Sequence, residues 1–486
     1  MIKMANPESF YITTTLPYVN APPHMGHAVE FARADMIARH KEMKGVDVFL
    51  NTGTDEHGLK IYREAEKKGE DPSKYVDRLS DVFRDLTVSL NMRSDLNFIR
   101  TTDEHHKKAT EAFWKRCLKN GDIYKKNYKV CYCVGCELEK SLSDLVDGRC
   151  PDHPDRELEM IEEENYFFRF SRYQKALLEM YENDPDFVIP DFRLNEIKSF
   201  VERGLEDFSV SRLATKQPWG IPVPNDPEHT MYVWFDALVN YVSAIGWPND
   251  IKSFKRWWPV TQYAGKDNLR QQSAMWQAML MSAGLPCSKR IIINGFIISD
   301  GKKMSKSIGN VIDPFDLIKR YGTDALRYYI AREVHPFEDS DMTEDRFKEA
   351  YNANLANGLG NSFSRIIKMA HSYEVNYGKL PDIDEVLNKT ETEKNYHKAF
   401  ESFEINKASD HVWSKISFLD KVIDETQPFK KIKIDRPGAE KDIIRLIHGL
   451  WEISVLLIPL MPESAKSIMD AIEKRLPPET PLFIRK

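Results

Sequence analysis

The sequence predicts an α/β protein: a parallel-sheet domain, split by an insertion, with an all-helical region after it. Three observations carry this. Strand, loop, helix and strand alternate from Phe10 to about Gly69, and the alternation returns late, where Met231–Trp234, Gln262–Ala264 and Ile291–Ile293 read as strands with helical patterns between them. Strands joined through helices run parallel, because the helix carries the chain back to the end where the strand began. Between these halves, about Asp122 to Pro227, the chain turns rich in Cys, Asp, Glu and Pro. From about Glu344 strand signals almost vanish, and helical periodicity takes over in Ala353–Ala370, Asn395–Ile423 and Lys441–Leu457.

Each element has a local reason. Phe10–Thr15 is rich in β-formers, and Pro17, Asn20, Pro22 and Pro23 end it in a turn. Val29, Ala32, Met36 and Met43 then share one helical face from about Met25 to Lys44, and Gly45 closes that helix. Val46–Leu50 is a second strand, with Gly53, Asp55 and Gly58 expected in its loop. Asp313-Pro314-Phe315-Asp316 is a helix start: an N-cap Asp, Pro at the first helical position and an acid in the first turn.

A length of 486 residues allows two to four domains. Charged residues make up 30% and are mixed in sign, with a net charge of −6. That balance gives no global attraction to nucleic acid, so RNA binding would need local Lys and Arg patches. Met1–Ser9 lacks the apolar core of a secretory signal, and the apolar run Ile453–Met461 is broken by Pro459 and too short to span a bilayer. Four of the six cysteines, Cys131, Cys133, Cys136 and Cys150, fall close together, which favours a metal site in a reducing compartment over disulfides.

Three constellations carry chemistry. In the first, Leu16-Pro-Tyr-Val-Asn-Ala-Pro-Pro-His24-Met-Gly-His27 lies between a strand and a helix N-terminus. Backbone N–H donors and the positive end of the helix dipole gather there and suit phosphate. His24 and His27 share a helical face, and Gly26 leaves the backbone bare for a nucleotide. By itself the motif also fits a surface helix start with incidental histidines. The second, Lys303-Met304-Ser305-Lys306-Ser307, places two ammonium groups on a loop that could clamp a triphosphate; taken alone, a Lys/Ser loop is a solvated one. The third, Cys133-x2-Cys136-x13-Cys150-x2-His153, has the paired spacing of a closed, structural zinc site with three thiolates and one imidazole. The bland alternative is buried, unliganded cysteines. Cys131 breaks the pairing and is left out.

The first two constellations, in this order on an α/β scaffold, resemble the paired signatures of class I aminoacyl-tRNA synthetases. Over nearly its whole length the chain looks like the methionyl-tRNA synthetase family. Besides Leu-Pro-Tyr-x-Asn before His24, the resemblance rests on Asn165-Tyr-Phe-Phe-Arg, Met231-Tyr-Val-Trp-Phe-Asp-Ala237 and Gly265-Lys-Asp267. It implies a Rossmann-type catalytic domain (1–120 and 229–298) split by a zinc-binding connective peptide (121–228). A stem-contact segment (299–345) and a helical anticodon-binding bundle (346–486) would follow. It implies activation of L-methionine with ATP and Mg2+ and transfer to tRNA(Met). His24, His27, Lys303 and Lys306 would be catalytic, and Gly26, Gly265 and Asp267, with both lysines, would hold ATP. Leu16, Tyr18, Trp234, Ala237 and Tyr241 would line the methionine side-chain pocket, Asp55 would hold its ammonium group, and Arg212 would face Asp267 or the triphosphate. A thioether offers little hydrogen bonding, so its selection rests on shape and sulfur–aromatic contact.

In the bundle, Asn361 and Arg365 match the family's anticodon-reading pair, and Phe429 stands where the family has Trp and would stack on a base. Lys430, Lys431, Lys433 and Arg436 could meet phosphates, and the stretch Lys107–Lys129 could meet the acceptor arm, although such runs are commonly solvated faces. The chain departs from the family at Gln271-Gln272, where an aromatic residue and His are usual. Two amides beside a thioether pocket need partners of their own. The competing readings are a class I synthetase for another amino acid and a catalytically silent tRNA-binding relative. The branched-chain enzymes carry a large editing insertion, and the gap from His27 to Lys303 holds one modest insertion. The sequence ends at Lys486, soon after the bundle, so a cytoplasmic monomer with no appended domain is expected.

Overall fold

The computed structural model describes residues 8–136, 138–140, 145–299, 301–303, 312–388 and 391–486. The chain forms two compact units. The first comprises Met1–Pro23, Asp47–Asp85 and Asp95–Ile293; the second comprises His24–Val46, Leu86–Ser94 and Asn294–Lys486.

The first unit is built on a six-stranded sheet. Its spatial order is Asn97–Arg100, Asp47–Thr54, Ser9–Thr14, Thr261–Gly265, Arg290–Asn294 and Val188–Ile189. Registers are parallel: Ile12 pairs with Leu50 on one side and Thr261 on the other, Thr54 pairs with Arg100, and Ile291 pairs with Val188. From Ser9–Thr14 the chain first adds strands on one side, then returns to add Thr261–Gly265 on the other. The crevice at the carboxyl ends of these two strands is the switch point, where open α/β sheets bind ligands.

Helix Glu104–Lys119 shows why this layer closes. His106, Ala109, Thr110, Phe113, Trp114 and Cys117 recur at helical spacing, and all are buried. Phe113 stacks on Trp276 at 5.4 Å, and Trp114 meets the edge of Phe235 at 5.1 Å. Burying each such ring is worth on the order of 1.5–3 kcal/mol. Strand Asp47–Thr54 runs further than the sequence implied, so Gly53 is a strand residue and not a loop residue. A Cβ there would sit 1.7 Å from the Ile99 carbonyl oxygen, so only glycine lets the two strands meet.

Two sequence expectations are corrected here. Met231–Trp234 is not a sheet strand. Its β-rich residues end a strand, Asp226–Met231, that pairs antiparallel with Ser211–Leu213, and helix Val233–Leu238 begins at once. Conversely, Val188–Ile189 lies within the segment read as an insertion yet supplies an edge strand of the main sheet. The segment also carries a long antiparallel pair, Ile123–Cys133 with Glu159–Phe168, flanked by Leu138–Lys140 and Phe208–Ser209.

In the second unit, helix Met25–Met43 buries polar as well as apolar groups. Arg33 donates to the carbonyls of Ile330, Val334 and Pro336. Asp35 accepts from Arg39 Nε at 2.8 Å and the Arg93 backbone N–H at 2.8 Å, and pairs with Arg327 at 2.8 Å. Asp313 caps helix Pro314–Tyr321 through the Phe315 N–H, as its sequence requires. Asn395–Ile423 is two helices, Glu391–Glu401 and Ile405–Thr426, because Phe403 turns left-handed with φ 61°. Among the described residues no strand lies beyond Ser340–Asp341, and no helix is long and apolar enough to cross a membrane.

Candidate functional site

In the first unit, predicted site residues fall at the carboxyl ends of the sheet strands. Leu16 and Tyr18 follow Ser9–Thr14, Asp55 follows Asp47–Thr54, and Gly265 leads from its strand into the short turn holding Asp267. Two adjoining strand extensions lock the first pair together. The Val19 N–H donates to the Asp55 carbonyl at 3.1 Å, and the Asp55 N–H donates to the Pro17 carbonyl at 2.9 Å. Asp55 itself is buried, and Asp267 is exposed. Gly265 is cramped: a Cβ would lie 2.9 Å from Asp267 Oδ1.

Tyr18 and Trp234 pack into one aromatic cluster with Tyr132, Tyr232, Val233 and Val134. Ala237, on the same helix as Trp234, is buried, and so is Tyr241, which takes a hydrogen bond from Tyr11 Oη on its carbonyl and meets the edge of Trp276 at 5.9 Å. Arg212 is buried among aromatic rings. Its guanidinium lies over the rings of Tyr232 and Tyr132 and donates to Ser209 Oγ and the Ser211 carbonyl.

The Gln271-Gln272 departure resolves into a buried chain of amides. Ser288 Oγ donates to Gln262 Oε1, and Gln262 Nε2 donates to Gln272 Oε1, each at 2.5 Å. Gln277 Nε2 donates to the Gln272 carbonyl at 2.8 Å. Gln272 is thus held by strand Thr261–Gly265 rather than by Gln271.

Sequence reasoning missed a second buried cluster, built around Asp236. Its two oxygens bind His57 Nδ1 at 2.6 Å and His106 Nε2 at 2.8 Å, and His106 Nδ1 meets Ser243 Oγ at 2.9 Å. Burial raises the Asp236 carboxyl, but the His57 charge and the two imidazole bonds outweigh it and leave it at about 2. The partners lie 179 and 130 residues away in sequence, so no local spacing could signal them.

The insertion brings its four predicted ligands together. Cys133 ends the long strand, Cys136 follows in the turn, and Cys150 and His153 come from a second turn closed by the His153 N–H to the Cys150 carbonyl. Their donor atoms all lie within 4.8 Å of one another, with Cys136 Sγ 3.4 Å from Cys150 Sγ and 3.2 Å from His153 Nδ1. A tetrahedral zinc with Zn–S bonds near 2.3 Å would set its sulfurs about 3.8 Å apart. Three sulfurs and one nitrogen at this separation fit such an ion and leave no open position. Gly135 makes room, since a Cβ there would lie 2.5 Å from the His153 ring. Cys131 stands outside the set, against Met160.

In the second unit, His24 is the N-cap of helix Met25–Met43. The Gly26 N–H donates to His24 Nδ1 at 3.1 Å, and the His24 N–H donates to His27 Nδ1 at 3.2 Å, a capping box made of imidazoles. The rings stack at 3.9 Å. Each Nδ1 accepts, so in the neutral ring each Nε2 carries the proton and is a donor. Burial and the neighbouring His24 hold His27 well below the ordinary imidazole range, so it is neutral at pH 7. Lys303 closes a short hairpin strand whose backbone is described; Lys306 lies outside the described residues.

Asn361 opens helix Asn361–Ser372 and is exposed. Arg365 reaches Asp424 at 3.4 Å, in the last turn of the helix that leads, through left-handed Gln427, to half-exposed Phe429. The nearby basic run is partly engaged: Lys431 pairs with Asp442, and Arg436 pairs with Glu440. So is the earlier one, where Lys107, Lys115, Lys125 and Lys129 all face carboxylates.

A family model described as tRNA synthetases class I (M) matches residues 10–157 and 153–367. Together with the parallel sheet and the imidazole-capped helix, it defines the chain as a class I aminoacyl-tRNA synthetase. The methionine–tRNA ligase of Thermotoga maritima is 40% identical over 94% of this chain and 74% of that protein. That of Thermosynechococcus vestitus is 41% identical over 94% and 89%. The Mycobacterium tuberculosis methionyl-tRNA synthetase solved with methionyl-adenylate superposes with a TM-score of 0.91, at 36% identity, covering 98% of this chain and all of that one. The chain belongs to the methionine–tRNA ligase family.

Proposed function

We propose that this chain activates L-methionine with ATP and transfers it to the 3′ end of tRNA(Met). Two observations support the reading: in the second unit a helix begun by two imidazoles whose Nδ1 atoms accept from its own backbone, and in the first unit a parallel sheet whose strand ends carry Tyr18, Asp55 and Gly265. The methionine carboxylate attacks the α-phosphorus of ATP in line, a methionyl-adenylate forms, and pyrophosphate leaves. His24 and His27 donate to the phosphoryl oxygens as charge builds, with Gly26, Gly265 and Asp267 around the nucleotide. Lys303 and Lys306 neutralise the pyrophosphate. No protein nucleophile is needed, because positioning and fixed dipoles supply the rate. Mg2+ accompanies ATP. Asp55 holds the substrate ammonium group, while Leu16, Tyr18, Trp234, Ala237 and Tyr241 enclose its side chain. A hydroxyl of the terminal ribose of the tRNA then attacks the methionyl carbonyl, an ester forms, the mixed anhydride breaks and AMP leaves.

Zinc held by Cys133, Cys136, Cys150 and His153 supplies structure to the end of the hairpin, not chemistry. Residues 1–120 and 229–298 form the catalytic domain, 121–228 the connective insertion, 299–345 the stem-contact segment and 346–486 the anticodon-binding bundle. In that bundle Asn361, Arg365 and Phe429 read the anticodon. The enzyme works as a monomer in the cytoplasm. Exchange of radiolabelled pyrophosphate into ATP, run with each amino acid in turn, tests the reading. Methionine alone should support exchange. Exchange with another amino acid would assign a different class I specificity, and none with any would leave a silent relative.

A further inference from the structure

We propose that Asp236 is a positioning residue for the amino-acid pocket, a single carboxylate that clamps the segment carrying Asp55 to the helix carrying Trp234 and Ala237. The inference rests on the proposed roles of those three residues.

Three segments meet at Asp236. Helix Val233–Leu238 supplies it, with Trp234 two residues before and Ala237 one after. His57 stands two residues beyond Asp55, and His106 comes from helix Glu104–Lys119. Both carboxylate oxygens are used, at 2.6 and 2.8 Å, and His57, His106 and Asp236 are all buried. Charge-assisted bonds in a site without bulk water are short and directional. They therefore fix the distance between the loop and the helix, not merely their contact.

The surroundings leave His57 little other freedom. Gly58, at φ 113°, donates its N–H to the Trp219 carbonyl, and Trp219 Nε1 donates to the Glu56 carbonyl at 2.6 Å. Glu56 is tied in turn to Arg100 and Thr54. Beyond the helix, Asn240 donates to the Ala237 carbonyl and accepts from Asn51. Each end of the clamp is braced against the sheet, and Asp236 is the link that spans the two ends.

The test uses the full chain and pyrophosphate exchange at varied methionine and varied ATP. Asp236→Asn keeps the shape but removes the charge. Loss of one charge-assisted bond predicts a rise of about ten- to hundredfold in KM for methionine, with KM for ATP unchanged and kcat within about threefold. Stereochemistry gives the rescue. An Asn amide nitrogen occupies the place of a histidine Nδ1 and a Gln amide nitrogen that of Nε2. His57→Asn and His106→Gln should therefore keep KM near wild type, whereas His57→Ala and His106→Ala raise it. These histidine pairs decide the matter even if Asp236→Asn fails to fold. An unchanged methionine KM in Asp236→Asn, or a loss of kcat and thermal stability at constant KM, overturns the clamp. Absence of methionine-dependent exchange in the unmodified chain overturns the proposed function instead.

Discussion

Replacing Arg327 with Met should cost the second unit about 4 kcal/mol of stability. The side chain is fully buried, and each arm of its guanidinium is used. Nε donates to the Leu460 carbonyl at 2.9 Å, one terminal nitrogen donates to the Leu90 carbonyl at 3.0 Å and pairs with Asp35 at 2.8 Å, and the other donates to the Pro459 carbonyl at 2.8 Å. Breaking a buried ion pair from one side costs roughly 3–5 kcal/mol. Here Asp35 retains Arg39 and the Arg93 N–H, which argues for the lower end. Three carbonyls stripped of a donor add about 1 kcal/mol each, offset in part by the apolar fit of Met. Urea unfolding gives the loss directly, and a cycle with Asp35→Asn isolates the pair. The two single losses should exceed the double loss by at least about 1 kcal/mol. A loss below about 1 kcal/mol in Arg327→Met, or losses that simply add, would refute the reasoning. Asp35 sits on the helix begun by His24, so exchange activity should fall along with stability.

Three further outcomes are expected. His27→Asn keeps an acceptor for the His24 N–H but removes the Nε2 donor, so kcat for exchange should fall about 10²–10³-fold while the urea midpoint holds; an unchanged kcat would remove His27 from the chemistry. The purified chain should carry one zinc ion and Cys150→Ser close to none, measured by atomic absorption after dialysis; full zinc in the variant would show that the ligand set is wrong. Asp324 is buried, and despite the Ser464 N–H its carboxyl is pushed up to about 6. Its proton is bound more tightly folded than unfolded, so it stabilises the fold below about pH 4 and that contribution is lost as pH rises through 6, about 3 kcal/mol in all. Asp324→Asn should remove that slope and be the more stable form at pH 7.5; equal midpoints there would argue against a strained carboxylate.

What the sequence revealed followed from local spacing. The four clustered Cys and His residues come as two tight pairs, and Asp313-Pro314 announces its helix within four residues, so both were legible. Met231 to Trp234 misled because its aromatic and β-branched residues favour strands, while the helix that begins at Val233 carries Asp236 to its buried bonds. Val188–Ile189 is too short to show a period, and its strand character comes wholly from Ile291 and Ile292 beside it. Gln271-Gln272 looked anomalous because Gln262, which donates to Gln272, lies on another element.

The strand Val188–Ile189 also governs how this enzyme can be re-engineered. A graft that exchanges everything between the two halves of the catalytic sheet would carry off the sheet's last strand and bare the edge of Arg290–Asn294. The transplantable module is the arm from Ile123 to Phe168, whose ends lie side by side as register partners. Swapping that arm alone, with its Cys and His cluster, leaves every strand of the host sheet in place.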